Sequence, residues 1–477
     1  MAVHIQRAAG GLVGLTVLFA GCSATPSSVS ATTSTGPPPP QAQIAVSAAL
    51  ADPSCNGGRG DLLPMHASTS TLQSTLVRAL SLPNGNVLVG TESAQPPPSG
   101  QVARLVIRAL TPNCTLDARF GDHGVDVVDL PAISDHGYST WNGWAPDGNG
   151  VVLVGATATN GYVMKLAANG SVDVRFGTHG VATPVTPHPS SSGSQVDKVA
   201  VAPTGQILVG ADDGNAHCCV ATYVARLGTD GILDRSFGSG GWSQTLATGA
   251  SMQRVVVRSD GSVLAVLSGI DTGGGTVHVF ELNPQGSVVS SFTDDFDRAL
   301  SDLDLDDPSP RLTEGGYFDD DMVPLADGSF ELLGTGARNG AGAEPMYMMA
   351  LRLTSDGNLD RSYGSDGSTS MPEVDGGELA VLLMPDGDTV FVDEPWIAPQ
   401  TPLYGSNGTL RLTFLKPNGS LDTSKAGHGV AVVPAPNLLA GTIPAYSSGQ
   451  SSAAATGDDV LVVVATTAGI DVLGFRG

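Results

Sequence analysis

Short apolar runs recur along the whole chain, separated by turn residues such as Gly, Asn, Asp and Pro. Runs of this length, rich in Val, Leu and Ile, are typical of β-strands when turn residues bound them. One type of run is easy to follow because it repeats with little change. Its copies are NVLVGT at 86–91, VVLVGA at 151–156, QILVGA at 206–211, SVLAVL at 262–267, SFELLG at 329–334, DTVFVD at 388–393 and DVLVVV at 459–464.

A second pattern, LGTDGILDRSFGSGG at 227–241, also repeats. Related copies begin at Leu110, Leu166, Leu282, Leu353 and Leu415, so successive copies start 56, 61, 55, 71 and 62 residues apart. A spacing that persists along the chain in this way indicates a repeat architecture, in which each copy is one structural unit.

The repeated pattern combines a hairpin turn, a carboxylate and an aromatic residue. A pair such as Asp230-Gly231 accepts the positive φ that tight hairpins need. The next carboxylate, Asp234, can accept hydrogen bonds from nearby backbone N–H groups and so hold the following corner. The aromatic residue, Phe237 in this copy, is predicted to fill the space between neighbouring units. Because the Asp recurs in nearly every unit, we interpret it as part of the shared fold and assign no catalytic residue.

The motif L-x-x-D/N-G-x-L-D-x-x-F-G-x-x-G resembles the bacterial delta-60 repeat family over roughly residues 52–477. The copy at Leu227 matches closely. The copy at Leu282 lacks the Asp and the glycines that follow the aromatic, and the copy at Leu415 has Lys425 in place of the aromatic. The resemblance implies that each unit is a blade of a β-propeller, and it implies no general catalytic activity.

Together, the strand pattern and the resemblance predict an all-β fold, a seven-bladed β-propeller of four-stranded antiparallel blades over 49–477. In the third unit the strands are predicted at 197–202, 206–211, 223–227 and 242–247. The last unit stops before a fourth strand, whereas 52–60 resembles a degraded copy of the repeat and strand-like DLLPMHA follows it. We therefore predict that an N-terminal strand completes the last blade, which would remove two open sheet edges.

The amino-acid composition agrees with a fold of many short strands, and the net charge argues against nucleic acid as a binding partner. The 477 residues include 62 Gly, and only 14% are charged. Acidic residues outnumber basic ones by 46 to 22, giving a formal net charge of −24. This charge repels phosphate-rich polymers, so no nucleic-acid partner is expected. We expect a monomer.

The N-terminal segment differs from the rest. An apolar run at 8–20, with basic residues before it, is typical of an export signal. It ends in LFAGC at 18–22, which resembles the bacterial lipobox. The resemblance implies removal of residues 1–21 as a signal peptide and a diacylglyceryl anchor on Cys22, which would hold the protein on the bacterial cell membrane, facing outside the cytoplasm. The alternative is an ordinary secretory signal. Residues 22–48, rich in Ser, Thr and Pro, are predicted to form a tether.

Four cysteines lie beyond the lipobox. Cys55 stands at the aromatic position of one repeat, and Cys114 stands at the turn-glycine position of the next blade around the ring. We predict a disulfide between them, formed in an oxidising compartment. Cys218 and Cys219 follow His217, and they could form a vicinal disulfide or bind a soft metal together with that histidine.

An acidic segment interrupts the repeats between the fourth and fifth units. Asp302, Asp304 and Asp306 have the opening spacing of a calcium-binding loop. However, Asp307 occupies the position that needs Gly, and Glu314 comes one place late. We interpret the segment as a solvated acidic loop, with calcium as the alternative, and we expect no other cofactor.

Two classes of function are open. The first is a binding or scaffolding propeller that engages an envelope protein, peptide or glycan through loops on one face, since propeller chemistry depends on loops that vary between units. The irregular segments here are 96–100, the loop around His217, 293–321 and 393–407. The second is a lactonase- or lyase-like propeller enzyme with a central metal, which needs His, Asp or Glu on the first strands. The candidate first strands are mostly aliphatic, so we favour binding; they are 76–80, 199–201, 255–257 and 379–383.

Overall fold

The fold is an all-β, seven-bladed β-propeller, as predicted. The computed structural model describes residues 75–93, 103–131, 140–157, 160–187, 194–213, 221–269, 276–291, 322–325, 327–337, 346–355, 358–370, 376–395, 409–426, 428–434, 451–456, 459–466 and 469–476. No part of these ranges is helical, so they hold no helix that could span a bilayer.

Each blade is one antiparallel sheet whose strands pair in chain order. The first three blades contain β1 (Thr75–Ser81), β2 (Val87–Ser93), β3 (Arg104–Leu110) and β4 (Val125–Asp129), then β5 (Thr140–Asp147), β6 (Gly150–Ala156), β7 (Gly161–Leu166) and β8 (Val181–Ala182), then β9 (Ser194–Val201), β10 (Ile207–Asp213), β11 (Ala221–Leu227) and β12 (Ala247–Thr248).

The remaining blades contain β13 (Ala250–Val257), β14 (Val263–Gly269), β15 (Thr276–Leu282) and β16 (Val288–Ser291), then β17 (Met322–Pro324), β18 (Phe330–Ala337), β19 (Met346–Leu353) and β20 (Ser368–Ser370), then β21 (Gly376–Leu383), β22 (Thr389–Pro395), β23 (Thr409–Leu415) and β24 (Val430–Pro434), and last β25 (Ser451–Thr456), β26 (Asp459–Thr466) and β27 (Gly469–Arg476). The seven predicted runs of the NVLVGT type all form second strands.

The last blade packs against the first, so the ring is closed. Within the described residues its sheet has three strands. β25 contacts β1, and the Ser81 hydroxyl donates to the Ala455 carbonyl across this junction. Val77 and Val89 of the first blade share a buried cluster with Leu461 of the last. The N-terminal strand predicted to complete this blade lies outside the described residues.

The hydrophobic core sits between blades rather than within one of them. Each sheet has two buried faces, because a blade packs on both neighbours, and its central strands are therefore almost continuously apolar. At the junction of the second and third blades, Val154 and Phe176 pack with Val209, Tyr223 and other buried residues. Each junction is called a seam below.

The fourth strand of the third blade is more irregular than the predicted 242–247. Only Ala247–Thr248 forms a regular strand, while Trp242 makes an isolated bridge to Ala225. The Ser243 N–H still donates to the Val224 carbonyl at 2.8 Å. The segment therefore runs beside β11. The chain turns at Gly240 and Gly241, which both have positive φ, so the hydrogen-bond ladder to β11 is interrupted.

Four first strands contain a β-bulge near their beginning. The pairing with the second strand skips Asn142, Asp197, Gln253 and Leu379, which occupy one equivalent position in four blades. A bulge leaves its extra residue outside the ladder and redirects its side chain. Three of them also begin earlier than predicted, at Ser194 where the sequence suggested Asp197, and at Ala250 and Gly376 where it suggested later residues.

Candidate functional site at the loop face

The topology gives the propeller two unlike faces. The first strand of a blade joins the second, and the third joins the fourth, on one face, which we call the turn face. The connections from second to third strand, and from each blade to the next, lie on the opposite face, which we call the loop face. This division follows from the antiparallel pairing in chain order.

The turn face is built from the repeated carboxylates, which have the structural role predicted for them. The backbone N–H of Ser236 donates to Asp234 at 3.0 Å, and that of Ser424 donates to Asp422 at 3.1 Å. Hydrogen bonds from Ser424 lower the pKa of Asp422 to about 2, because they stabilise the charged carboxylate. Equivalent bonds are made by Asp117, Asp173 and Asp360.

The repeated aromatic residues lie in the seams on this face, as predicted. Phe176 of the second blade packs on Gly231 in the turn of the third, so closely that an added Cβ on Gly231 would lie 2.9 Å from the ring. The N–H of Gly177 donates to the carbonyl of Asp230 at 2.7 Å, which fastens the same two blades. Phe120 with Gly170, and Phe237 with Gly286, repeat the arrangement in the neighbouring seams.

Cys114 occupies this turn-glycine position in the first blade. Its φ of 57° lies in the left-handed region that Gly170, Gly231, Gly286 and Gly419 occupy in other blades, and its side chain is buried. Cys114 is disulfide-bonded, and its partner lies outside the described residues. The pairing with Cys55 therefore stays a prediction.

The other predicted site residues fall outside the described part of the chain: Cys22, Cys55, Cys218, Cys219, Asp302, Asp304 and Asp306. Within the described ranges, no group of three or more His, Cys, Asp and Glu side chains could hold a metal ion. The predicted lipid anchor, vicinal disulfide and calcium loop thus stay as predictions.

The loop face carries a group of polar side chains, some buried and some half-buried, that the sequence analysis did not identify. They stand at the start of first strands and the end of second strands, where the inner part of each blade reaches this face. Asn142 of the second blade links two seams: its carbonyl accepts a hydrogen bond from Arg78 of the first blade, and its Nδ2 donates to Asp197 Oδ1 of the third at 3.0 Å.

Glu92 is the last residue but one of β2 in the first blade, and its side chain is buried. Its Oε2 accepts a hydrogen bond from the Trp141 backbone N–H of the second blade at 3.0 Å. Burial raises the pKa of Glu92 to about 7, although this bond and the Arg78 charge act in the opposite direction. Glu92 therefore spans a seam and titrates close to neutral pH.

Asp212 has the equivalent position in the third blade and lies beside Asp197. Both carboxyls are held within hydrogen-bonding reach of each other, and burial raises the pKa of each, with the charge of Asp197 adding to the effect on Asp212. Asp212 also accepts a hydrogen bond from the Met252 backbone N–H of the fourth blade. The two residues form an acid pair next to the seam between the third and fourth blades.

This site corrects one sequence interpretation. The first strands appear aliphatic over 199–201 and 255–257, but their polar beginnings lie earlier, at Asp197 and Gln253. One sequence signal was available. In NVLVGTE and QILVGAD, a single residue separates LVG from the acidic residue, which is Glu92 in the first and Asp212 in the second. The bulge on β9, the strand that pairs with β10, hid the matching partner Asp197.

The sequence matches no protein-family model and no curated protein. Solved structures with a similar course of chain include a protein of unknown function from Dyadobacter fermentans, 13% identical, covering 85% of this chain and 95% of its own, with a TM-score of 0.37. A second is an α-L-arabinanase from Penicillium chrysogenum complexed with arabinobiose, which is 10% identical; the match covers 84% of this chain and 93% of the arabinanase, with a TM-score of 0.40. A third is a putative 6-phosphogluconolactonase from Bacteroides uniformis, which is 12% identical; the match covers 75% of this chain and 86% of that protein, with a TM-score of 0.39. At these values the similarity supports no shared activity.

Proposed function

We propose that the protein is a membrane-anchored, extracytoplasmic binding propeller of the delta-60 repeat type, which engages an envelope protein, peptide or glycan through its loop face. One observation carries the proposal. Every irregular segment singled out in the sequence connects strand ends on that face, because 94–102, 214–220 and 396–408 join second to third strands and 292–321 joins two blades.

The contrast between the faces supports the proposal physically. The turns between first and second strands repeat one geometry in five blades, with Gly205 N–H bonded to the Ala202 carbonyl at 2.8 Å and Gly261 N–H bonded to the Arg258 carbonyl at 3.0 Å as examples. Loop-face connections differ in length from blade to blade, from the single residue Gly249 to the segment 292–321. Variable loops on a rigid scaffold are the usual location of binding residues.

The experiment compares loop-face and turn-face variants of the full chain in detergent. Glycan and peptide arrays, with crosslinking in envelope preparations, supply the ligands. Exchanging 396–408 or 214–220 for Gly/Ser segments of the same length should abolish the binding that the wild type shows. The matched control, Arg175→Gln on the turn face, should bind like the wild type. Equal binding by the loop exchanges would contradict the proposal.

One observation favours the alternative function, a lactonase- or lyase-like enzyme with a central metal. Asp197 and Asn142 bring polar groups to inner strands that the sequence analysis treated as aliphatic. Metal analysis of the purified full chain distinguishes the two functions: a stoichiometric transition metal that is lost from Asp197→Asn would favour the enzyme.

A further inference from the structure

An apolar groove lies on the outer rim of the propeller, where the second blade meets the third. Its volume is about 480 Å³, which is within the usual range of ligand sites in proteins. One wall is the start of the fourth strand of the second blade and the residues after it, and the other is the turn of the third blade. The lining includes Ala182, Thr183, Pro184, Gly231, Ile232 and Leu233.

The groove is open because a small residue stands at Ala182. At the same repeat position the first blade has Asp126, whose Oδ2 lies 3.1 Å from the place of an added Cβ on Gly170. The fifth blade has Thr369, whose hydroxyl donates to the Gly419 carbonyl at 2.6 Å. Gly170 and Gly419 both belong to the turn of the next blade. The alanine methyl group is too short to reach the matching turn of the third blade.

The groove is apolar because of a second change, at Ile232. This position, directly after the turn glycine, is polar in the other five copies of the repeat: Thr115, Ser171, Ser287, Asn358 and Ser420. The Ile232 side chain is 66% exposed beside the groove. An exposed apolar side chain next to an apolar groove is typical of a binding surface.

The outer edge of the second blade is also open beside the groove. The Val181 N–H donates to the Thr178 carbonyl, and the Val181 carbonyl accepts from the Thr178 N–H, so neither group faces β7. Exposure alternates from Ala182 to Pro187, as in an extended strand, so Thr183 and Val185 direct their backbone groups outward as Val181 does. Among the residues that the structure describes, nothing pairs with the N–H or the carbonyl of Thr183 or Val185.

The first blade closes the same edge with a side chain. Asp126 Oδ1 accepts a hydrogen bond from the Val127 N–H at 2.9 Å, and Val127 is the counterpart of Thr183. Capping an outward N–H in this way protects an edge strand from pairing with another chain. Ala182 offers no such cap. The exchange of Asp for Ala at one repeat position therefore opens both the groove and the edge beside it.

We propose that this rim binds an extended peptide segment of a partner protein, which adds to the second blade as an outer strand. Its main chain pairs with Thr183 and Val185, and one apolar side chain enters the groove against Ile232. Pro184 does not prevent this pairing, because residue 184 directs its backbone toward β7. The site lies on the outer rim, so it is separate from the loop face.

The charge beside the groove indicates a basic partner. The carboxylates of the adjoining corners, Asp173 and Asp234, are each paired with an arginine, whereas Asp230 is exposed and has no ion pair within the described ranges. A Lys or Arg two residues from the apolar anchor faces the same side of an added strand and so reaches toward Asp230. The net charge of −24 also favours the approach of a basic peptide.

Short random peptides displayed on phage test the site, when they are panned on the full chain in detergent after depletion on Ile232→Ser. Serine stands at this position in three other copies, so the variant should melt like the wild type. Enriched peptides should carry an apolar and a basic residue two positions apart. Synthetic copies should bind Ile232→Ser about tenfold more weakly, the loss expected for one buried apolar side chain.

Further variants separate the contributions. Asp230→Asn keeps the turn, as Asn169 does in the second blade, and should weaken binding about threefold, with a smaller effect at high salt. Ala182→Asp copies Asp126 and should remove binding. Val289→Ser, which removes an apolar side chain that is 56% exposed in the fourth blade, should bind like the wild type.

Hydrogen exchange of the full chain locates the bound peptide. The peptide should slow exchange at the N–H groups of Thr183 and Val185, and the exchange of loop 396–408 for Gly/Ser should leave this effect unchanged. Loss of both effects in that loop variant would place the peptide on the loop face and contradict the proposal. It is also wrong if no peptide prefers the wild type to Ile232→Ser, or if bound peptide leaves both N–H groups unprotected.

Discussion

Arg226 lies over the ring of Phe237, with its guanidinium carbon 4.8 Å from the ring centroid. The sixth blade keeps this contact with the two residue types exchanged. Lys425 stands at the repeat position of Phe237, Phe414 stands at that of Arg226, and the Lys425 nitrogen is 5.7 Å from the Phe414 centroid. In the sequence, Lys425 looks like the loss of the repeat aromatic. Phe414 on the third strand supplies the aromatic ring instead, so the cation–π contact is kept.

Arg226 should be a major contributor to the seam between the third and fourth blades. Its Nε pairs with Asp234 at 2.9 Å, and its Nη1 donates to the Pro284 carbonyl of the next blade at 2.5 Å. Because the side chain is mostly buried, Arg226→Met should lower the free energy of unfolding by about 2 to 4 kcal/mol in urea denaturation. The exposed neighbour Arg235→Met should cost less than about 0.5 kcal/mol. Equal losses would contradict this role.

The aromatic contact in the seam can be isolated with a pair of glycines. Gly231 and Gly240 both have positive φ, 80° and 66°. An added Cβ would lie 2.9 Å from both the Phe176 ring and the Gly177 backbone nitrogen at the first, and it would meet nothing within 4 Å at the second. Gly240→Ala should therefore cost about 1 kcal/mol for backbone strain, and Gly231→Ala about 2 to 4 kcal/mol for strain plus overlap. In a Phe176→Leu background the part of the excess that comes from the ring should be lost, while the part that comes from the Gly177 backbone remains, and a double-mutant cycle separates the two.

The disulfide at Cys114 should join two neighbouring blades covalently, at the place where other seams have a repeat aromatic packed on a turn glycine, such as Phe176 on Gly231. Cys114→Gly keeps the positive φ but removes the bond, so it should lower the unfolding free energy by about 2 to 5 kcal/mol without reductant. With reductant present, variant and wild type should melt alike. Mass spectrometry of an unreduced digest identifies the partner, and a peptide linking Cys114 to a cysteine other than Cys55 would contradict the predicted pairing.

Glu92 should make stability depend on pH near neutrality. Its pKa is raised to about 7 by burial, so its contribution is complete below its ordinary 4.5 and is lost as the pH rises through about 7. Glu92→Gln can still accept from the Trp141 N–H, but it cannot ionise. The variant should therefore be more stable than the wild type at about pH 8, and its melting temperature should vary less between about pH 5 and 8. A wild-type slope in Glu92→Gln would contradict the assignment.

The proposed anchor on Cys22 can be tested by detergent phase partitioning. Wild-type protein expressed in a bacterium that processes lipoproteins should enter the detergent phase, because attached acyl chains contribute about 0.8 kcal/mol for each buried CH₂. Cys22→Ser should remain in the aqueous phase. Cys219→Ser is the matched control and should partition like the wild type. Aqueous partitioning of the wild type would favour the ordinary secretory signal.

The fold could be predicted because its signals are local. The DG and NG turns, the LVG strands and the aromatic position are read within a few residues of one another, and they placed all seven second strands correctly. The acid pair could not be predicted, because it depends on a bulge at Asp197 that shifts the pairing of a whole strand.

The assignment of fastening aromatics to the turn face and variable connections to the loop face has a practical consequence. A segment grafted between β22 and β23, or between β10 and β11, begins and ends on strands whose opposite ends are already tied to the neighbouring blades. Such a graft need not re-establish the seam contacts of Phe176 or Phe237. The propeller therefore offers several independent insertion points for foreign recognition sequences, all presented in one direction on a common rigid base.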